Sequence, residues 1–494
     1  MTGPPVDAPL EEVVSTDPRD GRELGRYPLH SAADVAAAVT AARRAASWWS
    51  GLGYAARRSR LDAWRRLILR RVSELVELIS AETGKTTADA QLEAILVVDH
   101  LRWAAAHAGK VLRRRHVRPG LLMYNHSATV DHHPLGVVGV IGPWNYPAFI
   151  PIGPIAHALA AGNTVVFKPS EYTPGVGKWL ADTLGEVVGE QTVLEAVFGF
   201  GDTGAALCTS GVDKVAFTGS TSTGKRVMAA CAESLTPVLL ECGGKDAMLV
   251  DRDADIAAAA DAAVWGGLSN AGQTCVGVER VYVHQAVAER FTELVVENAA
   301  ALRTGVGRDA DIGPMATREQ PSIVAEHIRD ALARGARAAL GGPDSVRPST
   351  VEPVVLTEVR EGSLALTEET FGPVIVVNRV ATMDEAVAQA NACAYGLGAA
   401  VYSRARGPQI ARKLRVGMVS VNSVLAFAGV PGLPFGGTGA SGFGRVHGPE
   451  GLREFTRTQS ITRQRVRPFL RPLSFERSPR TMDALMRLIR IVYG

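Results

Sequence analysis

The chain has 494 residues, 46% hydrophobic and 21% charged, long enough for two or three domains with ordinary cores. Its 53 Lys and Arg against 50 Asp and Glu leave a net charge of +3, which argues against nucleic acid as the main partner. Five cysteines (208, 231, 242, 275 and 393) are an odd number spread through the chain, which argues against a disulfide framework and points to a reducing, cytoplasmic setting.

The opening MTGPPVDAPLEEVVS has neither a basic region nor an apolar core, so no signal peptide is expected. Helical periodicity covers 31–50 and 55–110, with Ser31 as the first N-cap. Beyond Pro119, LLMYNHSATVDHHPLGVVGVIGP is extended, first polar and alternating, then a buried run of Val and Ile. Residues 134–167 lack Asp, Glu, Lys and Arg, yet five prolines interrupt them, so a strand–turn–helix–strand unit is expected instead of a membrane span.

From there strands and helices alternate. VVGVIGP, a helix near 150–161, TVVFKP, a helix over 174–189, VLEAVFG, a helix over 202–210, KVAFTG, a helix over 221–233 and VLLECGG predict a parallel, doubly wound sheet. A second α/β series begins near Asp246 and runs to about 457, with strands at RVYVH, PVVLTEV, PVIVVNRV, AAVYS and GMVSVN. No flexible linker divides the two, so a tight cleft is expected between them. The tail from Pro468 is basic. In MDALMRLIRIVYG, Leu485, Leu488, Ile489 and Ile491 can share a helical face beside Arg487 and Arg490, suited to docking on a neighbouring subunit or the body of the protein, with membrane-surface contact as the other reading.

Several segments carry chemistry. In SNAGQTCVGVERVYV, Cys275 sits in a loop of small residues before a β-branched strand, a setting for a reactive thiol, although a buried structural cysteine is the bland alternative. KVAFTGSTSTGKR places Gly219 and Gly224 between a strand and a helix, where amides and the helix dipole can receive a phosphate. It departs from a P-loop at Arg226, where magnesium binding needs Ser or Thr. In VVFKPSEYTP, Lys168 and Glu171 at a strand end can hold the ribose hydroxyls of an adenine nucleotide, and a carboxylate there repels a 2′-phosphate, favouring NAD over NADP. In LLECGGKDA, Glu241 lies between apolar and glycine residues, so its pKa should rise toward that of a general base; a helix cap or a salt bridge would also explain it. GPWNYP supplies Asn145, an amide donor in a rigid turn suited to an oxyanion. EETFGPV offers Glu369 and Phe371 for a ribose contact with aromatic packing.

Together, PWNYP, KPSE, FTGSTSTG, LECGGK, GQTC, EETFGPV and PFGGTGASGFGR resemble the NAD(P)-dependent aldehyde dehydrogenase superfamily, from about residue 15 to 460. The resemblance implies an α/β fold: a Rossmann-type NAD-binding domain (1–116 and 135–243), an α/β catalytic domain carrying the thiol (244–457), and a small β oligomerisation arm (117–134 and 458–476) followed by the tail (477–494). It implies a cytoplasmic homodimer or homotetramer that oxidises an aldehyde to the carboxylic acid with NAD, NADP being less preferred, through a cysteine thiohemiacetal and thioester. The implied catalytic set is Cys275 as nucleophile, Glu241 as base, Asn145 with the Cys275 amide as oxyanion hole, and Lys168. The implied cofactor set is Ile141, Trp144, Lys168, Glu171, Gly219, Ser220, Cys242, Glu369 and Phe371, with no metal.

Cys242 stands where the family more often has leucine, which suggests altered redox sensitivity. Well-studied succinate-semialdehyde enzymes carry an arginine at the position of Gly153, and Ala148 to Ala156 contain no cation, so uncharged aliphatic or aromatic aldehydes are the expected substrates. Arg445, His447 or the 424–430 loop could still reach that position. The alternatives are a succinate-semialdehyde dehydrogenase, to which GRVHGPEGLREFTRTQSI is similar, and a non-catalytic binding protein of the same fold. A coenzyme A-acylating relative would lack Glu241, and a cysteine hydrolase would need a His motif near Cys275.

Overall fold

The computed structural model describes residues 12–307, 309–467 and 473–493. The leader reading of the first residues falls partly on 1–11, and parts of the arm and tail readings fall on 468–472 and 494, all outside the described residues. Two compact units emerge. The larger comprises 1–111 and 134–456, the smaller 112–133 and 457–494.

The larger unit holds two principal sheets. The first runs Gly442–Phe443, Val238–Cys242, Lys214–Gly219, Val137–Ile141, Thr164–Lys168 and Leu194–Ala196, parallel except at the short first strand. Val137–Ile141 comes first of the five parallel strands in the sequence, and the chain winds away from it in both directions. The crevice of such a sheet opens at the carboxyl end of that strand. The second sheet runs Arg337–Leu340, Val354–Thr357, Val374–Val380, Val278–His284, Asp246–Val250, Gly398–Tyr402 and Met418–Val421, antiparallel only between the first two. Its central strands are buried on both faces, which is why they read as apolar runs without alternation.

Helices Ala32–Gly51, Gly53–Arg70, Val72–Thr83 and Thr87–Val111 fill the region read as helical. Ser31 caps the first in a capping box with Asp34: Asp34 N donates to Ser31 Oγ at 3.3 Å and Ser31 N donates back to Asp34 Oδ2 at 2.8 Å. Phe149–Ala161 packs on Thr87–Val111 and is buried except at half-buried Ile150, so it shows no amphipathic stripe. Two features escaped the sequence patterns. A hairpin pairs Glu12–Thr16 with Glu23–Pro28, and Asp246–Val250 is a full central strand.

The smaller unit is a three-stranded sheet in the order Thr456–Gln464, His126–Pro134, Arg115–Val117, followed by the helix Pro479–Tyr493, which buries none of its described residues. Among the described residues no helix is long and apolar enough to cross a membrane.

Candidate active site

Cys275 leaves a strained loop. Asn270 (φ 53°), Ala271 (φ 56°) and Gly272 (φ 70°) are all left-handed, and two non-glycine residues in that region cost on the order of 1–3 kcal/mol each. Gln273 holds them there. Its Nε2 donates to the Asn270 carbonyl at 3.0 Å, and its Oε1 accepts from Ala316 N at 2.9 Å. A Cβ on Gly272 would strike the carbonyl of Gly372, so glycine lets the thiol loop pass against the EETFGPV turn.

The GPWNYP turn is stitched to the same loop. Asn145 Nδ2 donates to the Gln273 carbonyl at 3.0 Å, Asn270 Nδ2 donates to the Asn145 carbonyl at 3.1 Å, and the Tyr146 and Thr274 hydroxyls lie 3.0 Å apart. Beneath it is an ion pair that sequence reasoning missed. Buried Lys85 Nζ donates to Glu93 Oε2 at 2.6 Å and to the Asn145 carbonyl at 2.8 Å, 4.0 Å from the centre of the Tyr146 ring. Glu93 Oε1 accepts from Ala148 N and Phe149 N, capping the helix that follows Asn145. A charged residue in a long helix usually marks a solvated face, so only the partner across the fold could have revealed this pair.

Glu241, next to last in its strand, is paired with Thr218 on one side and Gly442 on the other. It is buried, its Oε1 has no hydrogen-bond partner among the described residues, and burial pushes its pKa up to about 7. The Cys275 thiol faces it closely enough that each shifts the other's ionisation. Burial first, then the charges of Glu241 and Glu369, hold the thiol well above its ordinary range. Burial likewise raises Glu369 and Asp246 to about 8. Near neutral pH these buried carboxyls are therefore partly protonated around a protonated thiol.

The cofactor candidates gather at the carboxyl ends of the first sheet. Ile141 pairs with Lys168 and with Phe217, and Gly219 with Cys242. Ser220 caps the helix Thr221–Ala232, accepting from Thr223 N at 3.3 Å, so a helix N-terminus faces the crevice. Lys168 Nζ donates to the Pro169 carbonyl at 3.0 Å and lies 3.8 Å from half-exposed Glu171. Across the cleft, Glu369 Oε1 accepts from Gly244 N at 2.9 Å, and the ring of Phe371 meets that of Trp144 edge-on at 5.4 Å. Glu279 holds this turn by accepting from Thr370 N and Phe371 N while it pairs with Lys245. Capped helix, strand-end lysine and carboxylate, and facing carboxylate together form a donor set that fits a dinucleotide.

Two expectations change. Cys242 is buried in the first sheet's core, its sulfur 2.7 Å from where a Cβ on Gly224 would sit, and burial pushes its thiol up to about 12. A thiol so placed is inert, contrary to the redox sensitivity its side chain suggested. At Gly153, of the residues considered, His447 is the one that arrives. Its Nε2 lies 2.9 Å from the would-be Cβ, whereas Arg445 is turned away onto the carbonyls of Gly437 and Gly444.

The sequence matches the Aldehyde dehydrogenase family over residues 6–461. The chain belongs to that family. It is 37% identical over 489 residues to the 4,4'-diapolycopene aldehyde oxidase of Methylomonas sp, covering 98% of this chain and 92% of that protein. It is also 37% identical to a Mycolicibacterium smegmatis protein named as a candidate succinate-semialdehyde dehydrogenase using NADP(+), covering 98% and 95%. Among solved structures, an NAD-dependent aldehyde dehydrogenase from Sinorhizobium meliloti superposes with TM-score 0.89 at 33% identity, covering 94% of each chain, and an E. coli NADP dependent enzyme with 0.88 at 33%, covering 92% and 95%. This aldehyde dehydrogenase is thus an α/β, NAD(P)-dependent oxidoreductase acting on an aldehyde.

Proposed function

We propose that the enzyme oxidises uncharged aliphatic or aromatic aldehydes to carboxylic acids, with NAD preferred, through a thioester on Cys275. The observation that carries this is the convergence of the Cys275 thiol, the buried Glu241 carboxylate with its bare Oε1, and the Asn145 amide on one loop. The thiol gives its proton to solvent and its sulfur attacks the carbonyl carbon, the C=O π electrons moving to the oxygen. The second N–H of the Asn145 amide and the Cys275 backbone amide steady the oxyanion. NAD, when bound, supplies the hydride acceptor. Glu241 then takes a proton from the water that attacks the thioester, releasing the acid and the free thiol.

Ile141, Trp144, Lys168, Glu171, Gly219, Ser220, the Cys242 backbone, Glu369 and Phe371 would hold the cofactor. Lys168 belongs with the ribose in this reading, beside Glu171. The uncharged-substrate reading rests on Gly153, where the three nearest side-chain atoms among the described residues belong to Val446 and the His447 imidazole and none to a lysine or arginine. A relative named for a diapolycopene aldehyde supports it. Relatives named for succinate semialdehyde favour the second reading, a carboxylate-bearing substrate.

A cytoplasmic homodimer or homotetramer is part of the same proposal. The strand Thr456–Gln464 lies at the edge of its sheet and is exposed along almost its whole length, so a second copy could extend the sheet there. The test is NADH release over a panel of hexanal, benzaldehyde and succinate semialdehyde. The reading expects lower Michaelis constants for the first two. A Michaelis constant for succinate semialdehyde well below both would overturn it.

A further inference from the structure

Three buried histidines stand beyond an aromatic wall that begins at the thiol. Cys275 packs against an apolar cluster containing Phe427 and Phe435. The Phe435 ring lies 5.6 Å from that of His447, which lies 4.1 Å from His100 and 5.9 Å from His157, between ring centres. Phe149, four residues past Asn145, meets His100 edge-on at 5.0 Å. His447, beside Val446, occupies the room that a side chain on Gly153 would take, and does so from a strained left-handed backbone (φ 61°) that a non-glycine residue seldom adopts.

The hydrogen bonds fix two of the tautomers. His100 Nε2 lies 3.0 Å from the Ala428 carbonyl, and His157 Nδ1 lies 2.8 Å from the Gly153 carbonyl. A carbonyl oxygen only accepts, so these nitrogens carry the protons and His100 Nδ1 and His157 Nε2 are bare acceptors. Both are buried without a partner among the described residues, as is His447 Nδ1. Burial pulls His100 and His157 down to about 4 and His447 well below its ordinary range, so the three rings are neutral at pH 7. A buried acceptor without a partner costs free energy, and phenylalanine would fill the same space without that cost.

We propose that His100, His157 and His447 form a hydrogen-bond-accepting subsite for the distal part of the aldehyde, selecting a tail that carries a hydroxyl group. The inference rests on Cys275 as the nucleophile. A hydroxyl donates into a bare ring nitrogen. An alkyl tail leaves those nitrogens as they were, and a carboxylate brings only lone pairs to a site whose fixed free groups are acceptors. Sites built to hydrogen-bond a substrate hydroxyl discriminate strongly against the analogue without it.

The test is steady-state kinetics with NAD on hexanal, 6-hydroxyhexanal and 6-oxohexanoate, in the wild type, His157→Phe and His100→Phe. The wild type should prefer 6-hydroxyhexanal over hexanal by about tenfold in kcat/KM, the worth of one good hydrogen bond, with 6-oxohexanoate poorest. Each variant should bring the hydroxyl preference toward one, through KM, while keeping hexanal turnover. Hexanal turnover reports folding in each variant. If one variant fails to fold, the other and the wild-type ratio decide. A wild type that turns over none of the three removes the thiol reading and the subsite with it. A wild type active on hexanal that gains nothing from the hydroxyl, or a preference unmoved in the folded variants, overturns the subsite alone.

Discussion

The side-chain amide of Asn145 donates to the Gln273 carbonyl at 3.0 Å, so the turn after the first strand of one sheet is bonded to the loop that delivers the thiol from the other half. One of the two N–H groups of Asn145 is thereby committed, which fixes where the other points. Asn145→Ala removes both the donor and this tether. A loss of about 10²–10³ in kcat is expected, the range for deleting one oxyanion donor, and stopped-flow kinetics with hexanal would measure it. A change below tenfold would take Asn145 out of the oxyanion hole.

Lys85 and Glu93 form a buried pair that positions Asn145 from below. Breaking it strands a charge in the interior, so Lys85→Met should destabilise the protein by about 3–5 kcal/mol. Denaturant unfolding of each single variant and of Lys85→Met with Glu93→Gln should reveal coupling, the double costing less than the sum. Additive losses would mean that the two residues act independently.

Cofactor choice should follow Glu171, half-exposed and 3.8 Å from Lys168. An ionised carboxylate repels a 2′-phosphate, and a difference of about 1.4 kcal/mol is tenfold in affinity. The wild type should show the lower Michaelis constant with NAD, and Glu171→Gln should narrow the gap. A wild-type preference for NADP would show that the carboxylate is turned away from the nucleotide.

The buried carboxyls make two pH predictions. Glu241 acts in its ionised form, so with its pKa near 7 thioester hydrolysis should rise with pH through about 7 and level off above. For stability the sign reverses. Asp246 has a folded pKa of about 8, above its unfolded value, so the folded protein binds that proton more tightly, and this contribution is complete below about 4 and lost as pH rises through 8. Asp246 Oδ1 accepts from Gly398 N at 3.0 Å, which an asparagine can also do, whereas Oδ2 is buried without a partner among the described residues. Asp246→Asn should therefore gain on the wild type by on the order of 1–3 kcal/mol at pH 9 and show little gain at pH 5, by thermal unfolding. A gap independent of pH would refute the buried-carboxyl account.

The residues legible in the sequence are those whose local chain advertises them. Cys275, Asn145 and Phe371 sit in loops rich in glycine or proline, Glu241 stands on a strand just before Gly243 and Gly244, where small residues bring the backbone close, and the parallel strands read as apolar runs because both faces are covered. What stayed hidden depends on partners far along the chain. Lys85, in the short loop after Thr83, and Glu93, on the helix Thr87–Val111, look like solvated charges until Asn145 lies above them. His100, His157 and His447 come from two helices and a loop, and no spacing joins them. The hairpin of Glu12–Thr16 and Glu23–Pro28 is short and largely exposed, so hydrophobic alternation marks it poorly.

The central claim is a covalent division of labour between Cys275 and Glu241. Glu241→Gln, mixed with hexanal and NAD and quenched within a turnover, should release up to one equivalent of NADH and hold an acyl group on Cys275, visible by intact-mass and peptide mass spectrometry, while Cys275→Ala forms neither adduct nor NADH. An adduct on another residue, or steady turnover by Glu241→Gln at the wild-type rate, would contradict the account.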